Sequence, residues 1–332
     1  LPHEPVEGVN GDYGDPIPAL KAVLGGHREE IVVRQKPICS GISRRDHSTS
    51  GWRGWKMATK QRITQSDISS VAREAGPLSP RRAIKQVALM VPCYIDMFYP
   101  EVGVATLELL EKLNVDVVYP FDQTCCGQPM ANSGCFEEAQ ATEELFIKNF
   151  SGFDHIVAPS GSCIHHLRNK FTAAPDSPER RRISASVYDL VEFLHDVLQA
   201  REFPWASFKH KVALHTSCSA IRGLGMASMS ERVHDPQFSK PKALLEHVPG
   251  MEFVEFERPD ECCGFGGTFS ATEEAVAAKM GYDKLEFIRK SGADYIVSSD
   301  MSCLMHLQGC ASRLGAKVKF LHIAQILNGA AQ

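Results

Sequence analysis

The sequence predicts an α/β fold of two pseudo-repeated units with parallel sheets, on three observations. Short apolar runs alternate with segments of helical periodicity, the pattern of strands feeding crossover helices. From residue 87 onward the chain repeats itself. Both copies place the same cysteine pattern beyond the C-terminal ends of predicted strands, where open α/β sheets bind ligands.

The elements follow in order. Residues 87–91 form an apolar run stopped by Pro92 and read as a buried strand. Residues 102–113 have helical spacing, 115–119 read as a strand ended by Pro120, 137–150 as a helix and 155–158 as a strand. The second unit repeats this with strands at 212–215, 251–256 and 295–298, a helix near 272–289, a strand at 317–321 and a closing helix at 322–328. The repeat is literal in places. VALMVPC (87–93) matches VALHTSC (212–218), and TCCGQPMANSG matches ECCGFGGTFSA. DHIVAPSGSCIHHL (154–167) matches DYIVSSDMSCLMHL (294–307). The units are expected at 87–200 and 211–328.

The first 86 residues differ. They hold none of the 17 Phe and only one, Cys39, of the 11 Cys. Such a segment buries too little apolar surface to offset its ordering entropy, so residues 1–86 are expected to be a disordered N-terminal extension. The chain opens on Leu1 and its first methionine is Met57. Residues 1–56 therefore read as the product of a mis-called start, with a docking arm using Trp52 and Trp55 as the alternative. Cys39 has no cysteine near it in sequence and is given no role.

Composition excludes several classes. The net charge of −4 argues against a nucleic-acid partner. No uncharged apolar run is long enough to span a membrane, and the N-terminus lacks the basic and apolar regions of a secretory signal. An odd number of cysteines in a long chain with no sign of export points to reduced thiols used as metal ligands.

Each unit has one Cys, then Cys-Cys-Gly, then one Cys. The intervening stretches are 31 and 36 residues in the first unit, 43 and 39 in the second. Thiolates are soft ligands, suited to zinc and above all to iron–sulfur clusters. The Cys-x2-4-Cys knuckle usual for structural zinc is absent. Adjacent cysteines point in divergent directions, which suits a multi-iron cluster better than one tetrahedral ion. Cys93, Cys125, Cys126 and Cys163 are expected to serve one centre, and Cys218, Cys262, Cys263 and Cys303 another. Eight inert buried cysteines are the bland alternative, against which two motifs in repeat register count heavily.

Gly127 and Gly264, with Gly266 and Gly267, would let the backbone approach a bulky anionic cluster. Ser162 and Ser302 are candidate helix N-caps beside Cys163 and Cys303. His166 and His306 lie one helical turn beyond those cysteines, as ligands, hydrogen-bond donors or packing residues, with packing preferred. His215 and Arg222 flank Cys218, either as hydrogen-bonding neighbours of the centre or as ordinary residues. Cys135 and Cys310 have no counterparts in the other unit and are left out of the ligand set. Asp96 and Arg168 read as capping or surface charges.

The paired Cys…Cys-Cys-Gly…Cys units, with PCYIDMFYPEVGVATLELLEKL, QTCCGQPMANSG, PSGSC, CCGFGGTFS and GADYIVSSDMSCLMHLQG, resemble the cysteine-rich CCG domain. That domain occurs in the cysteine-rich component of heterodisulfide reductase, the glycolate oxidase iron–sulfur subunit and the lactate utilization protein A family, which this chain resembles most, over about residues 87–328. The resemblance implies a cytoplasmic iron–sulfur electron-transfer protein, one subunit of a complex oxidising L-lactate to pyruvate and inactive alone. It implies 4Fe–4S clusters, one per repeat. A heterodisulfide-reductase-like or glycolate-oxidase-like subunit and a structural metal-binding scaffold are the alternatives. Where other CCG proteins often end each unit in Cys-x-x-Cys, this chain has His166 and His306, giving four cysteines per unit and not five. That sets it apart from the five-cysteine members with noncubane clusters. No Gly-x-Gly-x-x-Gly fingerprint for a nicotinamide or flavin cofactor follows a strand. Deleting residues 1–56 is expected to leave folding and metal content unchanged; loss of soluble, metal-loaded protein from a chain starting at Met57 would show that the segment is structural.

Overall fold

The computed structural model describes residues 86–330. The expected extension, with Cys39, Trp52 and Trp55, lies outside the described residues except for Gln86. Among the described residues, eight strands form two four-stranded sheets. In the first unit β1 (Val87–Leu89), β2 (Val117–Val118), β3 (Ile156–Ala158) and β4 (Val187–Asp189) lie in the order β2-β1-β3-β4, all parallel. In the second, β5 (Lys211–Leu214), β6 (Glu252–Phe253), β7 (Tyr295–Ser298) and β8 (Lys319–His322) repeat that order as β6-β5-β7-β8. Val87, Ala88 and Leu89 are all buried, because both faces of a parallel sheet are covered, so the strand reads as a continuous apolar run.

The first unit carries α1 (Cys93–Phe98), α2 (Pro100–Lys112), α3 (Gln128–Asn132), α4 (Phe136–Phe150), α5 (Gly161–Asn169), α6 (Pro178–Ser186) and α7 (Leu190–Glu192), which runs into a π-helical turn at Phe193–Val197. The second carries a π-helical turn at Ser219–Gly223, then α8 (Lys240–Leu245), α9 (Phe269–Thr272), α10 (Glu274–Ser291), α11 (Met301–Leu314) and α12 (Ile323–Leu327). Helix α2 shows why such segments fold. Val102, Ala105, Leu109 and Leu110 share one buried face, and burying each large aliphatic contributes roughly 1.5–3 kcal/mol.

Several expected elements shift. The strand expected at 87–91 stops at Leu89, and that at 251–256 shrinks to Glu252–Phe253. The helix expected near 272–289 is broken into α9 and α10 at Glu273, which has a non-helical φ of −122°. Strand β4 follows directly on the charged helix α6, so no turn residue announces it. The caps also move. Helices α5 and α11 begin at Gly161 and Met301, so Ser162 and Ser302 already lie inside the first turn. Ser160 Oγ accepts from Cys163 N at 3.4 Å, and Asp300 accepts from Ser302 N at 3.2 Å. Arg168 is more than a surface charge: it forks onto Glu192 at 2.9 and 2.7 Å and donates to Val187 O, tying α5 to β4. Asp96 sits in the first turn of α1, where burial raises its carboxyl pKa.

The two units share one core. Buried residues of the first, among them Val87, Leu109 and Val157, belong to the same apolar cluster as Val212, Val297 and Ile323 of the second. Helix α12 packs on α2, where Lys112 Nζ donates to Asn328 O at 2.7 Å and Asn328 Nδ2 donates to Glu108 Oε2 at 2.6 Å. Ser160 and Asp300 occupy equivalent repeat positions, and they pair with each other in an isolated antiparallel bridge. A local two-fold axis makes a residue meet its own counterpart in this way.

The buried Asp300 carboxylate fastens the seam. Its Oδ2 accepts from Ser162 N of the other unit at 2.9 Å, and Oδ1 accepts from Ser302 Oγ at 2.7 Å and from the Tyr94 hydroxyl at 3.3 Å. Asp300→Ala leaves those buried donors without an acceptor, at roughly 1–3 kcal/mol each, and is expected to destabilise the protein by roughly 2–5 kcal/mol. Urea unfolding measures this, and a loss below roughly 1 kcal/mol would show that the seam does not depend on Asp300.

Candidate metal centres

The strand order places the chain's change of direction beside β1 and β5, the topological switch where doubly wound sheets bind ligands. Cys93 follows β1, Cys125 and Cys126 follow β2, and Cys163 lies in the first turn of α5 after β3. Cys218, Cys262, Cys263 and Cys303 follow β5, β6 and β7 in the same way. The fold therefore gathers each expected set from three separate loops.

Within each set the sulfurs touch in a chain. Cys93 Sγ lies 3.6 Å from Cys125 Sγ, and thiol hydrogen bonds link Cys125 to Cys126 and Cys126 to Cys163. Cys262 Sγ lies 3.8 Å from Cys218 Sγ, with Cys262 linked to Cys263 and Cys263 to Cys303. Cys126, Cys163, Cys263 and Cys303 form the buried wall, while Cys93 is exposed and Cys125, Cys218 and Cys262 are half-buried. None of the described cysteines is in a disulfide.

The electrostatics are those of crowded thiols. Donation from Cys126 and Cys93 holds Cys125 down at about 3, and donation from Cys218 and Cys263 holds Cys262 down at about 2. The donors move the opposite way: Cys93 and Cys126 are raised by the bond to Cys125, and Cys218 and Cys263 by the bond to Cys262. Gly264 N also donates to Cys262 Sγ at 3.4 Å.

The donor arrangement fits a metal–sulfur group with several coordination points. Four thiolates on one tetrahedral zinc ion at about 2.3 Å would all lie within about 3.8 Å of one another. Neither set closes up in that way. Among the described residues the group of three or more donors that does lie within 4.8 Å is His215, Cys263 and Cys303. A cavity of about 640 Å³, lined in part by Cys218, Cys262, Arg222, Arg258 and Met280, opens beside the second set. Arg222 is held there by Glu231 at 2.8 Å and Asp260 at 3.8 Å.

The neighbours of the sets have contacts of their own. His306 Nε2 donates to Ala277 O at 3.0 Å, which commits that nitrogen to α10. His166 is fully buried and its Nε2 faces Glu143 Oε1 at 3.4 Å. Cys310 is buried with its Sγ 3.9 Å from His306 Nε2, away from the second set's chain of contacts. Lys284 carried no signal in the sequence, being one cation in an amphipathic helix. It is fully buried, and its ammonium donates to the carbonyls of Arg258, Pro259 and Glu261 at 3.0, 2.7 and 3.1 Å. It thereby fixes the loop that delivers Cys262, and burial lowers its pKa to about 8. Tyr94 was likewise unmarked. Its buried hydroxyl lies 3.0 Å from Ser160 Oγ and 3.3 Å from Asp300 Oδ1, and burial raises its pKa.

Gly127 and Gly264 have φ of +90° and +98°, which disfavours any side chain. Both glycines also allow a close approach to a nearby helix, α4 at Gly127 and α10 at Gly264. A Cβ at Gly264 would sit 2.5 Å from Ala277 O and 2.8 Å from Met280 Cβ, whereas one at Gly127 would meet Glu143 Cγ at 3.2 Å.

The cysteine-rich CCG domain matches this chain twice, over residues 87–168 and 212–308. The molecule is thus an α/β protein of two CCG cysteine-rich domains, each with its own gathered set of four cysteines. Lactate utilization protein A of Geobacillus kaustophilus is 40% identical over 247 residues, covering 73% of this chain and 98% of that protein. The protein of that name from Bacillus subtilis is 36% identical, covering 73% and 99%, and that from Halalkalibacterium halodurans is 36% identical, covering 73% and 96%. The chain belongs to the lactate utilization protein A family.

Gly264→Ala combines left-handed strain with a backbone clash and is expected to cost roughly 2–5 kcal/mol. Gly127→Ala meets only a movable side chain and is expected to cost roughly 1–2 kcal/mol. Denaturant unfolding of both variants checks the order, and equal costs would show that the approach to Ala277 is not limiting.

Proposed function

We propose that this chain is an iron–sulfur protein that works in the cytoplasm, carrying electrons as one subunit of a complex that oxidises L-lactate to pyruvate. The observation behind this is the repeated collection of four thiols at strand ends, each set with a buried wall and a partly exposed edge. Cys93, Cys125, Cys126 and Cys163 would hold one group, and Cys218, Cys262, Cys263 and Cys303 the other. A 4Fe–4S group held there supplies one-electron steps, with a potential set by charge, hydrogen bonds and exposure.

The chain's own residues divide the work. The buried cysteines exclude water from one side of each site, while Cys93 and the half-buried Cys125, Cys218 and Cys262 leave the other side within reach of a partner. Gly264 N directs its N–H toward Cys262 sulfur, which favours negative charge there. Lys284 fixes the Cys262 loop and brings a positive charge whose field reaches Cys263 and Cys303. Taking two electrons and a proton from an alcohol carbon requires an acceptor and a positioned base, and these are assigned to the partner subunits. The family relationship supplies the substrate.

Cys126→Ser and Cys263→Ser are each expected to remove one of the two groups, about half of the bound iron, and to abolish lactate-dependent electron flow in the assembled complex. The isolated chain, given L-lactate and an artificial acceptor, is expected to show no turnover. Robust turnover by the isolated chain would overturn the subunit role.

A further inference from the structure

The two cysteine sets superpose in sequence but differ at one buried position. In the match between VALMVPC and VALHTSC, Met90 of the first unit stands opposite His215 of the second. Both are fully buried at the C-terminal end of the central strand. Met90 offers a weakly donating thioether, whereas His215 offers an imidazole, among the commonest of metal ligands.

His215 has no other visible employment. Its main-chain N–H donates to Val297 O at 2.8 Å, which fixes the residue at the strand end. Neither ring nitrogen has a hydrogen-bond partner among the described residues, although the side chain is completely buried. A buried imidazole without a partner costs free energy on the order of 1–3 kcal/mol for each unmatched polar group, so this position is kept for something. The ring points to the second cysteine set: one of its nitrogens and the sulfurs of Cys263 and Cys303 lie within 4.8 Å of one another. Those are the two cysteines of the buried wall, and His215 lies on the same side. The other histidines near the sets have different surroundings. The half-buried His306 gives a nitrogen to Ala277 O, and His322 Nδ1 accepts from Ala324 N at 3.1 Å. His166 also lacks a hydrogen bond at either ring nitrogen, but its Nε2 has the Glu143 carboxylate 3.4 Å away, and among the described residues it belongs to no close group of three metal-ligating atoms.

We propose that His215 is a nitrogen ligand of the second centre, which makes the two centres chemically unequal: sulfur-only in the first unit, mixed sulfur and imidazole in the second. This rests on each unit holding a metal–sulfur group. The local backbone departs from the repeat at the same place. Cys93 opens the α-helix α1, while Cys218 is followed by the π-helical turn Ser219–Gly223, a local irregularity of the kind that often marks functional sites. The inequality gives the two centres different electronic surroundings, since ligand type tunes an iron–sulfur potential.

The test uses full-length protein purified anaerobically, reduced, and studied by electron spin echo spectroscopy for nitrogen coupled to the iron spin. Labelling with 15N-histidine is expected to convert a strong 14N coupling into its 15N counterpart. The coupling is expected to persist in His166→Gln and to vanish in His215→Met, which installs the first unit's residue, and in His215→Gln, while the signal of the first centre remains. No change on labelling overturns the proposal even if both His215 variants fail to fold, and so does a coupling that survives at His215→Met or disappears at His166→Gln. Protein with two centres but no histidine coupling leaves the iron–sulfur reading standing and removes only the ligand. Protein without iron and sulfide removes both.

Discussion

Four thiols packed into contact cannot all ionise together. At the 3.6 Å between Cys93 and Cys125 sulfurs, two unit charges repel by roughly 4–5 kcal/mol at the effective dielectric suited to proteins. Thiol–thiol hydrogen bonds therefore lower Cys125 and Cys262, while the same bonds raise Cys126 and Cys263 beside them. A cationic metal–sulfur group removes that limit by displacing the protons, so loading couples to deprotonation. The rest of the structure serves to hold those sulfurs near one another against their repulsion. Three loops converge because the parallel strands deliver them to one side of the sheet, and the loops are pinned by Lys284, by the Ser160 and Asp300 caps and by the tight turns at Gly127 and Gly264.

Duplication explains the second layer of organisation. Each unit alone would expose the face on which the other packs, and one apolar cluster crosses between them. At the local two-fold, the polar group of Tyr94, Ser160, Ser162, Asp300 and Ser302 replaces apolar packing. This network borders both cysteine sets, with Tyr94 next to Cys93, Ser162 next to Cys163 and Ser302 next to Cys303 in the chain. A fixed, bonded seam keeps the two sites in one geometry.

Much of this was legible in the sequence. The apolar run at Val87, the helical spacing of Val102, Ala105 and Leu109, and the duplicated cysteine strings each reflect a local cause: burial on both faces of a strand, burial of one helix face, or ligand chemistry. What escaped depends on distant partners. Strand β4 is defined by pairing of Val187 with Ile156, which nothing in the preceding Arg-rich helix foretells. Ser160 and Asp300 cap because their helices start one residue before the expected serines. Lys284 looks like a solvated cation until the fold wraps three carbonyls around it. His215 was visible as a neighbour of Cys218, yet only the fold places its ring against Cys263 and Cys303.

The central claim is that each cysteine set holds its own multi-iron group. Iron, zinc and acid-labile sulfide measured on anaerobically purified full-length protein, together with iron X-ray absorption, test it most directly. Iron and sulfide are expected in near-equal amounts, sufficient for two centres per chain, with short iron–iron distances and sulfur as the dominant ligand. Stoichiometric zinc without sulfide, or iron without iron neighbours, would contradict it.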